Sequence, residues 1–122
     1  MTNLLNNTVE DIVKKADQKQ ANNIVLLDLS GISTLADYFL IMDARNIRLL
    51  EALSKDLVDI AEKDGLDIKR VEGQAKSEWI LLDFGDLVIH IFTPEKRQFY
   101  NLERLWSAAK QINISKWLNL HV

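Results

Sequence analysis

The amino-acid sequence predicts an α/β fold: a single domain built on a mixed five-stranded sheet flanked by helices. Helix-like and strand-like patterns follow in the order helix, two strands, helix, three strands, helix. No linker or internal repeat interrupts them, and 122 residues are a usual length for one domain. We expect one domain over residues 1–122, with its core over about 8–110 and a C-terminal tail over 111–122.

The first half of the chain predicts an amphipathic helix followed by two buried strands. Thr8 is the expected N-cap of the helix. The apolar stripe that follows, spaced by three and four residues, consists of Val9, Ile12, Val13 and Ala16. The aliphatic runs at 24–29 and 38–42 are too short for typical helices and rich in strand formers, so both are expected to be central strands.

The longest helical pattern covers residues 45–64, where apolar residues recur at spacings of three and four. Gly65 stands where a residue in the left-handed conformation ends a helix. Residues 66–71 follow as a more polar strand, which indicates a sheet edge, and residues 72–77 as a loop.

The most distinctive stretch is 78–106, which reads E-W-I-L-L-D-F-G-D-L-V-I-H-I-F-T-P-E-K-R-Q-F-Y-N-L-E-R-L-W. It predicts two strands joined by a tight turn and then a helix. Pro94 ends the second strand because it cannot donate to the strand ladder, and the helix runs from there to about Ala109. The tail after it fits either a short helix that docks Trp117 and Leu118 or a frayed end.

A two-residue turn at Phe84-Gly85 would pair Trp79 with His90 and place alternate side chains on opposite faces of the hairpin. The face that packs on the helices would carry Ile80, Leu82, Leu87, Ile89 and Ile91. The other face would carry Trp79, Leu81, Asp83, Val88, His90 and Phe92. Large rings beside polar groups are typical of recognition surfaces.

Two alternatives remain open at this face. Trp79 and His90 also fit a partly buried core pair with His90 hydrogen-bonded locally, because cross-strand aromatic pairs are ordinary sheet packing. On the following helix, Arg97 and Tyr100 share a face with Arg104, and Arg97 is expected to reach the carboxylates of the turn. The alternative is a solvated helix face with weak ion pairs. The expected core residues of this helix are Leu102, Leu105 and Trp106.

The composition excludes several classes of function. The absence of cysteine excludes a disulfide framework, a thiolate metal site and a cysteine nucleophile. A net charge of −3 makes nucleic acid a poor main partner, although a local basic rim is compatible with an RNA contact. We expect a cytoplasmic protein without a membrane partner, since no secretory pattern and no apolar run of roughly 20 residues is present.

The motifs of the hairpin and helix resemble the Iojap-like family of ribosomal silencing factors. The family patterns W-x-x-x-D-x-G-D, V-x-H-x-F and R-x-x-Y-x-L-E-x-L-W are matched by Trp79, Asp83, Gly85, Asp86, Val88, His90, Phe92, Arg97, Tyr100, Leu102, Glu103, Leu105 and Trp106. A further D-Y-F-x-I pattern is matched by Asp37, Tyr38, Phe39 and Ile41. The departure is M-D-A-R-N at 42–46, where relatives usually have a Gly-Ser turn.

The resemblance implies a fold related to nucleotidyltransferases but without their catalytic carboxylates. Asp37 and Asp43 lie at opposite ends of one strand, and Asp83 and Asp86 lack a third ligand, so no Mg²⁺ site is expected. With only two histidines, a histidine metal cluster is not expected either. The prediction is a protein that is not an enzyme and that has no cofactor.

The implied function is translational repression. Similar proteins bind the large ribosomal subunit through large-subunit ribosomal protein fourteen and block subunit joining sterically; rim contact with ribosomal RNA and a homodimer in the free state are also expected. The expected partner-binding residues are Trp79, Leu81, Asp83 and His90 on the sheet face, and Asp37, Tyr38, Arg97 and Tyr100 beside it. The alternatives are a nucleotidyltransferase-like enzyme and an assembly factor for the large subunit.

Overall fold

A computed structural model describes residues 3–118 of the chain. The helices are α1 (Asn3–Gln18), α2 (Ile47–Lys63), α3 (Pro94–Tyr100) and α4 (Leu102–Leu105). The strands are β1 (Asn22–Asp28), β2 (Tyr38–Asp43), β3 (Arg70–Gln74), β4 (Trp79–Asp83), β5 (Leu87–Phe92) and β6 (Lys110–Ile112). Short 3₁₀ turns cover Ala75–Ser77 and Ser115–Trp117.

The strands form one mixed sheet in the order β3-β4-β5-β2-β1-β6. Only β2 and β5 run parallel among these pairs, and both are buried along their whole length. The predicted α/β class is therefore confirmed, but the sheet has six strands rather than five. The additional strand is β6, which comes from the predicted tail region and pairs antiparallel with β1. Three residues are too short for a period to mark them as a strand.

Helices α1 and α2 cover one face of the sheet and build the larger core. Alternate residues of the strands point into it, as the hairpin pattern predicted, and the aliphatic residues of β4 and β5 among them are Ile80, Leu82, Leu87, Ile89 and Ile91. Trp117 and Leu118 pack against the same core, so the docking interpretation of the tail is confirmed up to residue 118; residues 119–122 lie outside the described part. No helix within 3–118 is long and apolar enough to cross a membrane.

The boundaries of α2 follow from its capping residues. Asn46 accepts a hydrogen bond from the backbone N–H of Leu49 at its Oδ1 (2.8 Å), which satisfies one free donor of the first turn. Gly65 has φ +90° directly after the C-cap, as predicted. The M-D-A-R-N departure is thus accommodated without a glycine turn: Asp43 ends β2, Ala44 is buried and Asn46 starts the helix.

Three predicted boundaries are wrong. Thr8 is not an N-cap, because α1 already begins at Asn3 and Thr8 is buried within it. The edge strand is β3 rather than 66–71, since Leu66 and Ile68 pack against the core before the strand begins.

The third correction concerns the last helix, which does not continue to Ala109. It breaks at Asn101, which has φ +46°, and resumes as the short helix α4. Asparagine tolerates this left-handed conformation better than most residues. The break places Leu105 in solvent at 72% exposure, although a core position was expected for it, whereas Leu102 and Trp106 pack on the sheet as predicted.

Gly73 is the position where the β3–β4 pair tolerates no side chain. Its φ is +81°, and a Cβ there would meet the backbone oxygen of Trp79 at 2.2 Å. We expect Gly73→Ala to lower the free energy of unfolding by about 1–2 kcal/mol for the left-handed backbone and by a further 1–3 kcal/mol or so for the clash. Urea denaturation measures the loss.

Gly65→Ala is the matched control, because Gly65 has a similar φ of +90° with open space around it. The control is expected to show the backbone cost alone. An equal loss of unfolding free energy in the two variants would show that β3 and β4 separate easily at this point. The close approach of the two strands would then contribute nothing to the cost of the substitution.

Candidate docking surface

The sheet face opposite α1 and α2, called the open face below, is covered only in part. Leu102, Trp106 and Ala109 from the chain after α3 pack over β1, β2 and β5. Over β4, helix α3 places the ring of Tyr100 on Trp79, and Trp79 and Leu81 remain half-exposed. The open face is therefore the place where a partner can reach large apolar side chains.

The hairpin carries the predicted residues on the predicted faces, but its turn lies one residue further along. Phe84 donates its backbone N–H to the carbonyl of Leu87 (2.9 Å), which makes Gly85 and Asp86 the two central residues. Phe84 is instead buried in the helix-side core, and Gly85 supplies the positive φ of +93°. The physical reason for the difference is that an apolar ring gains more from burial than from a turn position.

The pairing register consequently shifts by two residues. Trp79 lies opposite Phe92, and Leu81 lies opposite His90. A shift of two residues leaves every side chain on its original face, because the side-chain period of a strand is also two. Trp79 and His90 are therefore diagonal neighbours on the open face rather than a directly opposed pair.

Trp79 is the centre of a cluster of rings. Its ring lies 5.5 Å from that of Phe92 and 4.8 Å from that of Tyr100, and its Nε1 donates a hydrogen bond to Nδ1 of His90 (3.3 Å). Phe39 packs edge-on against His90 at 4.7 Å. The stacking holds the half-exposed indole in one orientation, which lowers the entropy that a partner would have to remove.

His90 lies beneath this cluster and is 4% exposed. Burial lowers its pKa to about 4, so the ring is neutral at pH 7. Because Nδ1 accepts from Trp79, the proton of the neutral ring is on Nε2, which has no partner among the described residues. The structure thus supports the core interpretation of His90, whose ring positions Trp79. Of these two residues, only Trp79 is accessible to a partner.

Tyr100 and Phe99 extend the rings beyond the sheet. Tyr100 is 42% exposed and rests on Trp79, and Phe99 is 76% exposed and lies edge-on to Tyr100 at 5.1 Å. Phe99 was not among the residues predicted from the sequence. It could have been found from its position next to Tyr100, because a helix this short cannot bury the side chains on both of its faces. The set Trp79, Leu81, Phe99 and Tyr100 is called the aromatic patch below.

The turn end of β4 is polar. Asp83 accepts a hydrogen bond from the backbone N–H of Gly85 at Oδ1 (2.8 Å) and pairs with Arg70 at 3.4 Å. Asp37 lies near this turn, because its backbone N–H donates to the carbonyl of Asp86 (2.9 Å), and its side chain is exposed. Asp83 lies four residues from Trp79, or about 13 Å along a strand, so the predicted residues divide into a ring end and a turn end.

Besides the buried His90, two further predicted residues are not placed on the surface of the open face. Tyr38 belongs to the helix-side core and is 9% exposed; burial, with Asp28 and Asp37 nearby, raises the pKa of its phenol. Arg97 is 8% exposed and does not reach the turn carboxylates. Its Nη1 instead pairs with Asp43 at 3.0 Å and its Nη2 with Glu103 at 3.4 Å.

The carboxylates do not converge on a common point. Asp43 is engaged by Arg97 and Asp83 by Arg70 and the turn, and no group of three or more candidate metal ligands occurs within residues 3–118. The geometry offers ring surfaces and a polar border, which are features of contact with another macromolecule.

Residues 2–121 match the family model described as ribosomal silencing factor during starvation. This chain belongs to that family. A ribosomal silencing factor of Halalkalibacterium halodurans is 38% identical over 102 residues, which cover 84% of this chain and 87% of the relative. The crystal structure of a Bacillus halodurans protein has a TM-score of 0.76 at 34% identity and covers 88% of this chain and 98% of that one.

This chain is also similar to a eukaryotic protein whose name refers to the mitochondrial ribosome. A mouse protein named mitochondrial assembly of ribosomal large subunit protein 1 is 31% identical over 102 residues, covering 81% of this chain and 45% of the relative. The family resemblance read from the sequence is confirmed. The family also confirms the prediction of a ribosome-associated regulatory protein that is not an enzyme. The relation to nucleotidyltransferases stays a prediction.

The buried His90 makes stability dependent on pH. The unfolded chain binds a proton at this residue from about pH 6.5, whereas the folded protein does so only near pH 4, so stability falls as the pH drops between these values. We expect a loss of up to about 3 kcal/mol, measured as the free energy of unfolding in urea at successive pH values.

His90→Gln is the matched control, because it removes this titration and retains His121, the other histidine of the chain. Between pH 6.5 and 4 the wild type is expected to lose more stability than the variant. Parallel curves for the two proteins would show that His90 is not held neutral by its surroundings.

Proposed function

We propose that this silencing factor docks on the large ribosomal subunit through the aromatic patch and contacts large-subunit ribosomal protein fourteen. The observation that carries the proposal is that an exposed tyrosine, Tyr100, lies on the half-buried ring of Trp79, with Phe99 continuing the apolar surface. Rings that are held rigid before binding are characteristic anchors of protein interfaces.

The mechanism is steric occupation. A chain of 122 residues folds to a radius of gyration of about 14 Å, which is large enough to separate two surfaces that would otherwise touch. A silencing factor seated where the small subunit docks therefore prevents subunit joining without any chemical step. Translation is reduced for as long as the factor stays bound.

Polar residues around the patch have supporting roles in this proposal. Asp83 and Asp37 form the turn end of the interface, and Leu81 connects that end to the rings. The rim contact with ribosomal RNA is assigned to Lys96 and Arg104, which lie in α3 and α4 and make no ion pair within the described residues. Such a contact weakens with salt, since it rests on phosphate neutralisation.

The free protein is proposed to be a cytoplasmic homodimer. An exposed group of large rings is a surface that a second copy of the chain covers when the ribosomal partner is absent. Dimer formation and subunit binding would then compete for the aromatic patch.

A second candidate function is assembly of the large subunit. It is favoured by the name of the mouse relative, which refers to assembly of the mitochondrial large subunit. Both functions use the same docking surface and differ in the stage at which the protein binds: assembly requires binding to immature particles, and silencing requires binding to mature large subunits.

Tyr100→Ala and Trp79→Ala are each expected to weaken binding to purified large subunits by about 30-fold or more, because an interface anchor is worth about 2 kcal/mol or more. Co-sedimentation with separated large and small subunits measures the affinity, and a subunit-joining assay measures the block. The wild type is expected to sediment with large subunits alone and to reduce the fraction of joined ribosomes.

Ile47→Ala is the control, since Ile47 is 43% exposed, almost the same as Tyr100, but lies at the start of α2 in the helix layer. The proposed surface is wrong if Tyr100→Ala and Trp79→Ala fold normally and bind like this control. Failure of the wild type to bind either subunit would contradict the proposed function itself.

A further inference from the structure

The side chain of Arg97 lies at the junction of four parts of the fold. Besides its ion pairs with Asp43 and Glu103, its Nη1 donates to the backbone carbonyl of Asn22 at 3.4 Å. Asn23 donates from Nδ2 to the same Asp43 oxygen at 3.3 Å. The guanidinium thus joins the start of β1 and the end of β2 to both α3 and α4.

The ion pair is placed where it can set the direction of α3. Asp43 is 2% exposed at the end of β2 and lies in register with Phe92, two residues before α3 begins. The segment that follows has little stability of its own, because α3 has seven residues and α4 has four, both below the length at which isolated helices form.

Glu103 extends this connection across the break in the helix. Asn101 interrupts the helical hydrogen bonding with φ +46°, and the Arg97–Glu103 pair spans that interruption from α3 to α4. Both halves of the segment are therefore held by one guanidinium. Tyr100, three residues after Arg97, is the last residue of α3 and contacts Trp79 and Phe92 at 4.8 and 5.9 Å.

We infer that Arg97 is a positioning residue of the docking surface: the Asp43–Arg97–Glu103 ion pairs hold α3 so that Tyr100 rests on Trp79. The inference depends on the proposed function for its consequence in binding. Arg97 acts through these rings and does not touch the partner, since its side chain is 10% exposed and its donors face Asp43, Asn22 and Glu103.

The first test is the contact between the two rings in the free protein. In Arg97→Met, the nuclear Overhauser effects between the ring protons of Tyr100 and Trp79 are expected to weaken or vanish, while those within the helix-side core persist. Arg48→Met is the matched control, because Arg48 is an exposed arginine in α2 that makes no ion pair within residues 3–118. Unchanged ring contacts in a folded Arg97→Met protein would overturn the inference.

The second test is binding to purified large subunits. Arg97→Met is expected to lose about tenfold or more in affinity and Tyr100→Ala about 30-fold or more, and the double variant is expected to bind no more weakly than Tyr100→Ala alone. Such non-additivity identifies residues that act through the same contact. Losses that multiply in the double variant would show that Arg97 acts on the partner independently of Tyr100.

Two further variants keep the inference testable if Arg97→Met does not fold, because an unpaired buried Asp43 is costly. Glu103→Gln changes the partly exposed end of the cluster and is expected to give a smaller loss of ring contact and of affinity in parallel. Arg97→Lys is expected to restore part of both, since one ammonium reaches Asp43 but lacks the second arm for Glu103. A loss of affinity in Glu103→Gln with intact ring contacts would overturn the inference.

The two proposals fail in distinguishable ways. If the wild type does not bind large subunits, the proposed function is wrong, and the ring contacts in the variants still decide whether Arg97 positions Tyr100. If the wild type binds and the ring contacts do not respond to Arg97, the docking surface stands and the positioning role is wrong.

Discussion

The parallel pairing of β2 with β5 is the constraint on which the rest of the structure depends. All twelve residues of the two strands are buried, so both faces of this pair must be covered by other elements. On one face α1 and α2 do this. On the other face the chain itself returns after α3, which brings the short helices and Trp106 over the sheet. The same return leaves Trp79 and Leu81 of β4 half-exposed beside Tyr100, where the docking surface is proposed.

Burial on both faces also decides which polar side chains the central strands can contain. Besides the phenol of Tyr38, the two strands hold only Asp43 and His90 as polar residues. A buried charge or ring nitrogen is costly unless it is paired. Asp43 is stabilised by Arg97, which lies in the same helix as Phe99 and Tyr100. His90 is stabilised by Trp79, which is itself part of the aromatic patch. The polar groups that the core cannot avoid therefore help to organise the surface above it.

Local patterns in the sequence were sufficient for the elements with strong periodicity and clear end signals. The stripe of α2 with Gly65 after it, and the alternation of β4 and β5, predicted both the elements and their faces. The hairpin faces were right despite the two-residue change in register, because parity alone determines the face. The family motif also led to Trp79 and Tyr100, which the structure brings into contact.

The remaining features depend on contacts between distant parts of the chain, and no local pattern contains them. Arg97 meets Asp43 across 54 positions, so its burial could not be read from the helix that carries it. Strand β6 exists because β1 offers an edge for three residues to pair with. Leu105 is exposed because Asn101 turns the chain between two helices.

The outer strand β3 has a consequence for how the folded protein behaves among other chains. A free strand edge can recruit foreign strands into growing β-aggregates. Here the edge is five residues long, carries Arg70 and Glu72, and is bent at Gly73 by a positive φ, which makes a poor template for such growth. The edge at β3 therefore resists extension by foreign strands, and the docking proposed for this protein uses the face of the sheet instead.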